Sequence, residues 1–233
     1  MKDLIQDAVF EMFPQFVRGI VIARDLQISE RNARITDFLT DSTAQRRTRG
    51  QAVLNAPGVT VWDEAHQRFG SIPKKYPPSI RSLLQRVLNG KPLPYINDAV
   101  ALFNAVSLKY LLPCGGDDLD VMVGDLCLGL ASGEERFVPL GSTDTEHPEP
   151  KEVIYYDTGD LKVMCRRWNW RNGSQTKITT ATRNLLINID GLGDVFRPAV
   201  EEATKEIAEW LRTECRGSVK CDLMHSGKRS IDV

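Results

Sequence analysis

Apolar residues recur at helical spacing in several parts of the chain, most clearly between residues 79 and 88. There they occupy positions i, i+3, i+4, i+7 and i+8, the stripe that one face of an amphipathic helix presents. These residues are Ile80, Leu83, Leu84, Val87 and Leu88. Ser79 can cap the N-terminus of this helix, and Gly90 stands where a left-handed residue commonly ends one. The pattern therefore predicts a helix over 79–88.

Two more helices are predicted from similar signals. One should begin at Asn97 or Asp98 and run to about Tyr110, because Pro113 follows soon after and cannot continue it. The other is an amphipathic helix over 195–215, whose larger apolar side chains lie on or near one face. These side chains are Phe196, Ala199, Val200, Ala203, Ile207 and Trp210.

The N-terminal part of the chain gives weaker signals. A short helix is predicted over 2–13, where Pro14 ends it, and another from Ser29 through Leu39 or beyond. The segment VWDEAHQRFG, residues 61–70, resembles a helix of one to three turns. This part of the chain therefore mixes helices with the strand described next.

Strands are predicted where Val, Ile and aromatic residues cluster between turn residues. The segments are FVRGIVIARDL and, after residue 125, LCLGLA, EVIYYD, LKVMCRRW and NLLINID. The chain thus passes from helices to strands and back to a helix, which favours an α+β fold. We expect one domain over 1–216, made of an N-terminal helical and strand part (1–70) and a core (71–216). The polar residues 217–233 are expected to form a frayed tail.

Composition narrows the class of protein. With 42% hydrophobic and 26% charged residues in 233, the chain has the composition of a globular domain, not of a collagen, a coiled coil or a disordered protein. No segment has the length and hydrophobicity of a membrane span, and MKDLIQDAVF lacks the pattern of a signal peptide. The five cysteines show no CxxC spacing, which favours reduced thiols and a cytoplasmic location. Three widely separated histidines argue against a metal site, so we expect neither metal nor cofactor.

The net charge of −1 is close to neutral, but its distribution is uneven. Residues 71–96 carry five basic side chains and no acid, and residues 161–183 carry six basic side chains and no acid. Two such segments can present a positive surface to a polyanion. Alternatively, the basic and acidic side chains that are separated along the sequence are mixed on the surface of the folded chain. The sequence leaves both interpretations open.

The densest candidate for recognition chemistry is CRRWNWRNGSQTKITTAT, residues 165–182. Guanidinium groups bind phosphates, and indole rings stack on bases. On a strand, one face would carry Arg166, Trp168 and Trp170, and the other face would carry Arg167, Asn169 and Arg171. A turn is predicted at 172–173. The structural alternative is that the tryptophans pack in the core and the arginines form salt bridges.

A second candidate is the helix that starts near Asn97 together with the loop after it. Asn97, Asn104 and Ser107 are polar positions on an otherwise apolar helix, and Asn104 could point inward. In the following loop, 113–120, Gly115 and Gly116 would allow backbone N–H groups to approach a ligand. The alternatives are a satisfied core asparagine and an ordinary helix stop. The acidic side chains at 117, 118 and 120 are expected to serve as caps or loop hydrogen-bond acceptors.

Signatures of common enzymes are missing from the sequence. It contains no GxSxG, Walker A, GxGxxG or HExxH motif. Cys165 stands beside Arg166, but no histidine is near it in sequence to activate the thiol. The residues themselves therefore do not identify a covalent nucleophile.

Long segments of the chain resemble the B3/B4 domain of the phenylalanyl-tRNA synthetase beta subunit, and more closely the free-standing form of that domain. The resemblance is carried by PPSIRSLLQRVLNGKPLPYINDAVALFNAVSLKYLLPCGGDDLD, GDLCLGLASGEERFVPLG, EVIYYD and CRRWNWRNGSQTKITTATRNLLINIDGL, over roughly residues 70–200. It implies an α+β domain with a mixed or antiparallel sheet flanked by helices. In the synthetase, this domain hydrolyses the ester of tRNA mischarged with tyrosine, with a positioned water and no covalent nucleophile.

Two departures from the synthetase pattern fall in the pocket that the resemblance implies. The turn at 172–173 is followed by Ser174 and Gln175, where the synthetase has an acidic residue that helps to select tyrosine. The residues 115–118 read Gly-Gly-Asp-Asp, where the synthetase has His-Ala-Phe-Asp. Specificity for tyrosine is therefore not carried over to this chain.

The resemblance predicts a free-standing editing domain that hydrolyses mischarged tRNA in trans and does not aminoacylate tRNA. The alternatives are a non-catalytic module that binds tRNA or a free amino acid, and an unrelated small-molecule enzyme. The expected partner is the 3′ end of tRNA or aminoacyl-tRNA, with no membrane partner. The expected substrate-binding residues are Asn97, Asn104, Ser107, Gly115, Gly116, Arg166, Arg167, Trp168, Asn169, Trp170, Arg171, Ser174, Thr176 and Lys177. The amino acid, the tRNA and the oligomeric state stay open.

Overall fold

The computed structural model describes residues 1–233 as six α-helices and ten β-strands. The helices are α1 (Asp7–Met12), α2 (Ala33–Arg49), α3 (Pro57–Arg68), α4 (Ser79–Leu88), α5 (Asp98–Tyr110) and α6 (Arg197–Glu214). The strands are β1 (Lys2–Ile5), β2 (Phe16–Arg24), β3 (Cys114–Asp118), β4 (Leu126–Leu130), β5 (Val153–Asp157), β6 (Val163–Arg166), β7 (Arg171–Asn172), β8 (Leu185–Leu192), β9 (Ser218–Met224) and β10 (Ser230–Asp232). None of these helices combines the length and the apolar sequence needed to cross a lipid bilayer.

The strands form two sheets. A six-stranded sheet has the order β10-β1-β4-β5-β6-β7 and is mixed, because β1 and β4 are parallel while the other pairs are antiparallel. A four-stranded sheet has the order β3-β8-β2-β9 and is antiparallel throughout. The predicted α+β class, with mixed or antiparallel sheets flanked by helices, is confirmed.

Strand β2, in the interior of the four-stranded sheet, is buried on both faces. On one face of β2, Val17 and Val21 join the apolar core formed with α2, α5 and α6. On the other face, Phe16 and Ile20 join the core shared with the six-stranded sheet, α3 and α4. Gly19 shows how closely α6 packs on β2, since a Cβ atom there would lie 2.0 Å from the Thr204 hydroxyl. The two sheets therefore face each other, and this arrangement creates the space for the cavity described below.

Several predicted elements match the structure and others do not. The helix over 79–88 is confirmed as α4, but Pro78 is its N-cap residue and no side chain caps it, so the expected role of Ser79 is wrong. The predicted helix over 2–13 is divided into β1 and α1. The predicted loop over 113–120 contains β3, because Gly115 and Gly116 pair with β8 as extended strand residues.

The expectation of a frayed end after residue 217 is wrong. Strand β9 pairs with β2 over seven residues, and β10 pairs with β1. The segment looks polar because β9 is an edge strand with most of its side chains partly or fully exposed. Backbone hydrogen bonds to buried neighbours hold such a strand in place even where its side chains are polar.

Candidate functional site

A cavity of about 520 Å³ lies between the two sheets. The four-stranded sheet contributes Arg18, Gly115, Asn188 and Asp190 to its wall, and the six-stranded sheet contributes Tyr155 and Cys165. Helix α4, residues 103–104 of α5 and the turn after β6 close the remaining sides. The volume lies within the roughly 300–1,000 Å³ of typical ligand pockets.

The inner end of the cavity, here called the floor, is built around a buried ion pair. Nε and Nη2 of Arg18 donate to the two carboxylate oxygens of Asp190, at 2.7 and 2.9 Å. Nε1 of Trp168 donates to Oδ2 of Asp190 at 2.8 Å. The pairing follows from the sheet register, in which Arg18 of β2 stands directly opposite Asp190 of β8. The carboxylate thus has three fixed donors.

Arg18 keeps one guanidinium nitrogen free of this network. Its side chain is 1% exposed, and Nη1 has no hydrogen-bond partner. The aromatic ring of Tyr155 lies 5.0 Å from Cζ of Arg18, and the hydroxyl of Tyr155 donates to Asp3 at 3.3 Å. Burial by itself lowers the pKa of Arg18, but the charge of Asp190, the hydrogen bonds to Asp190 and the charge of Asp3 together raise that pKa above its usual value. The floor therefore holds a permanent cation with an unused donor.

Two carboxyl groups close to Arg18 have raised pKa values. Burial raises the pKa of Asp117, which lines the cavity, to about 7, and Oδ1 of Asp117 accepts a hydrogen bond from Thr176 at 2.6 Å. Burial also raises the pKa of Asp3 to about 7. Near neutral pH, each of these carboxyl groups is therefore roughly half protonated.

The segment after β6 is a turn and does not continue as a strand. Arg167 and Trp168 have φ angles of 47° and 63°, in the left-handed region, and the N–H of Trp170 donates to the carbonyl of Arg166 at 3.1 Å. The predicted alternation of residues 166–171 on two strand faces is therefore wrong. The predicted turn at 172–173 is also misplaced, since Asn172 belongs to β7 and pairs with Cys165.

The turn separates the roles of the two indoles. Trp168 is 2% exposed and makes edge contacts with Phe13, Phe16 and Trp62. Trp170 is half-buried and lies at the outer end of the cavity, here called the mouth. Arg171 follows it and is exposed. The alternative of core packing thus applies to Trp168 but not to Trp170.

The arginines at 166 and 167 are held by acidic side chains and do not line the cavity. Arg166 donates to both oxygens of Glu152, at 3.0 and 2.7 Å, and also pairs with Glu146. Arg167 lies near Glu152, and its guanidinium carbon stacks 3.9 Å from the ring centroid of Tyr76. These contacts match the salt-bridge alternative.

Only one of the three polar residues singled out on α5 faces the cavity. Asn104 lines it and is half-buried. Asn97 is the N-cap residue: its Oδ1 accepts from the N–H of Val100, and its Nδ2 donates to the carbonyl of residue 178. The hydroxyl of Ser107 donates to the carbonyl of Leu112 at the helix end. The structure therefore gives Asn97 and Ser107 positions away from the cavity and hydrogen bonds that fix α5.

Taken together, the predicted substrate-binding residues divide equally between those that line the cavity and those that do not. Those that line the cavity are Asn104, Gly115, Gly116, Trp168, Asn169, Trp170 and Arg171. Those that do not are Asn97, Ser107, Arg166, Arg167, Ser174, Thr176 and Lys177. Thr176 still reaches the site indirectly, through its hydrogen bond to Asp117.

The ion pair at the floor of the cavity was not predicted from the sequence. Arg18 interrupts the apolar run FVRGIVIA, and Asp190 ends the run LLINID. A charged residue within a buried strand is uncommon unless it is paired, and this was the available signal. The sequence does not show that the two residues pair, because they are 172 positions apart.

The cavity contains a thiol, but not an activated one. Cys165 is buried, and burial raises its pKa well above the usual value for cysteine. A thiol with a raised pKa is almost entirely protonated near neutral pH and is a poor nucleophile. Of the ionisable groups that line the cavity, Asp117 is the one whose pKa suits proton transfer near neutral pH.

Residues 61–214 match the family model described as the B3/4 domain. The fold is similar to the crystal structure of an N-terminal fragment of the phenylalanyl-tRNA synthetase beta-subunit from Pyrococcus horikoshii, with a TM-score of 0.50 and 11% sequence identity. The similarity covers 93% of this chain and 49% of that fragment, so the chain spans about half its length. A search of curated proteins found no match.

Proposed function

Because the chain belongs to the B3/4 domain family, we propose that its cavity binds the 3′ end of an aminoacyl-tRNA and hydrolyses the aminoacyl ester in trans. One observation carries the proposal. A single cavity has an indole and guanidinium groups at its mouth and fixed hydrogen-bonding groups at its floor. The mouth residues are Trp170, Arg86 and Arg171, and the floor residues are Arg18 and Asp190.

The mouth suits a nucleotide. Trp170 is half-buried and is held by an edge contact with Tyr76, at 4.7 Å between ring centroids. The guanidinium carbon of Arg171 lies 5.8 Å from the centroid of the same ring, and the exposed part of the indole would stack on a terminal base beside it. Arg86 and Arg171 are exposed at the same mouth and supply positive charge for phosphates. The aminoacyl group would then extend towards the floor.

The proposed chemistry is attack by water on the ester carbonyl. Asp117 would accept the proton from that water as a general base, since a group with a pKa of about 7 is roughly half ionised at neutral pH. The oxygen of water bonds to the carbonyl carbon, the carbon–oxygen bond to the ribose breaks, and the ribose oxygen takes up a proton. The amides of Asn104 and Asn169 would orient the ester.

A non-catalytic module that binds tRNA or an amino acid is the second candidate. It is favoured by the absence of a histidine among the residues that line the cavity and by the raised pKa of Cys165. In this case Asp117 would only hydrogen-bond the ligand, and turnover would not occur.

The test is deacylation of a panel of mischarged tRNAs by the purified chain. We expect one or a few of them to be hydrolysed, with rates reduced in Asn104→Ala and Asp117→Asn. The matched control is Lys177→Ala, an exposed predicted residue that does not line the cavity and should retain the hydrolysis rate. Binding of tRNA without hydrolysis across the panel would favour the non-catalytic module.

A further inference from the structure

The free nitrogen of Arg18 is an unusual feature of the cavity. Arg18 lines the cavity wall, its side chain is 1% exposed, and Nη1 has no hydrogen-bond partner. A buried donor without an acceptor destabilises the protein, and a charged donor does so more strongly. A ligand oxygen at this position would remove the penalty.

The guanidinium group is held so that only this nitrogen lacks a hydrogen-bond acceptor. Nε and Nη2 are used by Asp190, and Trp168 fixes the other side of the same carboxylate. The rings of Tyr155 and Phe16 lie 5.0 and 5.7 Å from Cζ and restrict its movement. Such preorganisation favours selection, because the guanidinium group is already oriented before a ligand binds, and only the side chains that cover the buried Nη1 must move to admit a ligand oxygen.

The charges around the floor argue against an anionic group. Asp190 already neutralises Arg18, and Asp3 and Asp117 are acidic groups of the same neighbourhood. A ligand carboxylate would meet one compensated cation and up to two further negative charges. An uncharged oxygen acceptor meets no such repulsion.

We propose, on the basis of the proposed function, that Arg18 is a specificity residue whose Nη1 donates a hydrogen bond to the terminal oxygen of a carboxamide side chain. The site would then take asparaginyl or glutaminyl groups and disfavour apolar groups of the same shape. A site built to hydrogen-bond a polar group rejects the apolar analogue because its own polar atom is left unpaired.

The test is a binding series on the wild-type protein with non-hydrolysable 3′-aminoacylamino-3′-deoxyadenosines, measured by calorimetry. Asparaginyl, leucyl and aspartyl groups have similar shapes and differ in polarity and charge, and the longer set is glutaminyl, methionyl and glutamyl. In at least one set, we expect the carboxamide to bind about 10-fold or more tightly than the apolar member. It should also bind more tightly than the carboxylate.

A variant pair assigns the preference to Arg18. In Arg18→Lys, which keeps a cation beside Asp190 but lacks the third nitrogen, the ratio of carboxamide to apolar affinity should fall towards one. In Trp170→Ala, which removes the proposed stacking surface for the adenine base at the mouth, all affinities should fall together and the ratio should stay unchanged. The ratio of carboxamide to apolar affinity does not change when part of the variant protein is unfolded. If Arg18→Lys does not fold at all, the binding series on the wild-type protein still tests the preference for a carboxamide.

The outcomes separate this inference from the proposed function. Equal binding of all members, or tighter binding of the apolar or carboxylate member in both sets, overturns the role of Arg18 and leaves the tRNA 3′ end as the ligand. No binding of any analogue overturns both the inference and the proposed function.

Discussion

Trp168 donates a hydrogen bond from its indole nitrogen to Asp190 across 2.8 Å, and the same carboxylate holds Arg18. The bond links the turn of the six-stranded sheet to the centre of the four-stranded sheet. The floor of the cavity therefore depends on how the two sheets face each other, and residues far apart in sequence must be in place together.

Loss of that bond should weaken the fold. Trp168→Phe keeps an aromatic ring among Phe13, Phe16 and Trp62 but leaves one acceptor position of buried Asp190 empty. We expect the free energy of unfolding to fall by about 2–4 kcal/mol, from the lost charged hydrogen bond and the smaller ring. Urea unfolding measures this. The matched variant Trp170→Phe should change stability much less, and equal losses in the two variants would contradict the separate roles.

Removal of the indole at the mouth should weaken nucleic-acid binding without unfolding the chain. Base–aromatic stacking contributes about 1–3 kcal/mol per base, so Trp170→Ala should weaken tRNA binding roughly 5- to 150-fold. Fluorescence anisotropy with labelled tRNA measures the affinity at fixed salt. Unchanged affinity with an intact fold would exclude Trp170 as a stacking surface.

Asp117→Asn should separate binding from turnover. Removing a general base commonly reduces the rate by about 100-fold or more, while the isosteric amide preserves the shape of the cavity. In the wild type, the deacylation rate should rise with pH and level off above an apparent pKa near 7. A wild-type profile without this inflection, or an Asn variant that keeps the full rate, would remove Asp117 from the mechanism.

Burial of Asp3 makes stability depend on pH. Its pKa is about 7 in the folded chain, against an unperturbed value of 3.8 for an aspartate exposed to water. The folded state therefore binds the proton more tightly than the unfolded chain does and loses stability as pH rises from about 4 to 7. Asp3→Asn removes this contribution. Between pH 5 and 7, the wild type should lose about 2 kcal/mol more than the variant in urea unfolding. Parallel losses would show that Asp3 stays ionised over this range.

Filling the cavity from β3 should block binding but preserve the fold. A Cβ atom at Gly115 would lie 3.7 Å from Oδ1 of Asn188, an ordinary contact, and Val suits a strand. Gly115→Val should therefore fold normally and bind the adenosine analogues at least about tenfold more weakly. Calorimetry and thermal unfolding together test this, and undiminished binding would place the ligand elsewhere.

Local pattern was sufficient for much of the architecture. The apolar stripe of α4 and the boundaries of α5 specify those helices, because a 3.6-residue period fits no other regular structure. The run that forms β2 is rich in β-branched residues and forms a buried strand. Predictions were wrong where propensity is weak, as in the glycine-containing strand β3 and the polar edge strand β9, since pairing with neighbours decides the conformation of such segments.

The sequence by itself determined the fold class, the family and half of the predicted lining, including Asn104, Gly115, Trp170 and Arg171, since these depend on local order and on long matching motifs. Only the tertiary structure decided that Arg166 and Arg167 are paired with Glu152, outside the cavity. Only the tertiary structure shows that Arg18 forms an ion pair with Asp190. The physical reason is that an ion pair forms by proximity in space, and strand register and sheet packing create that proximity across 172 positions of sequence.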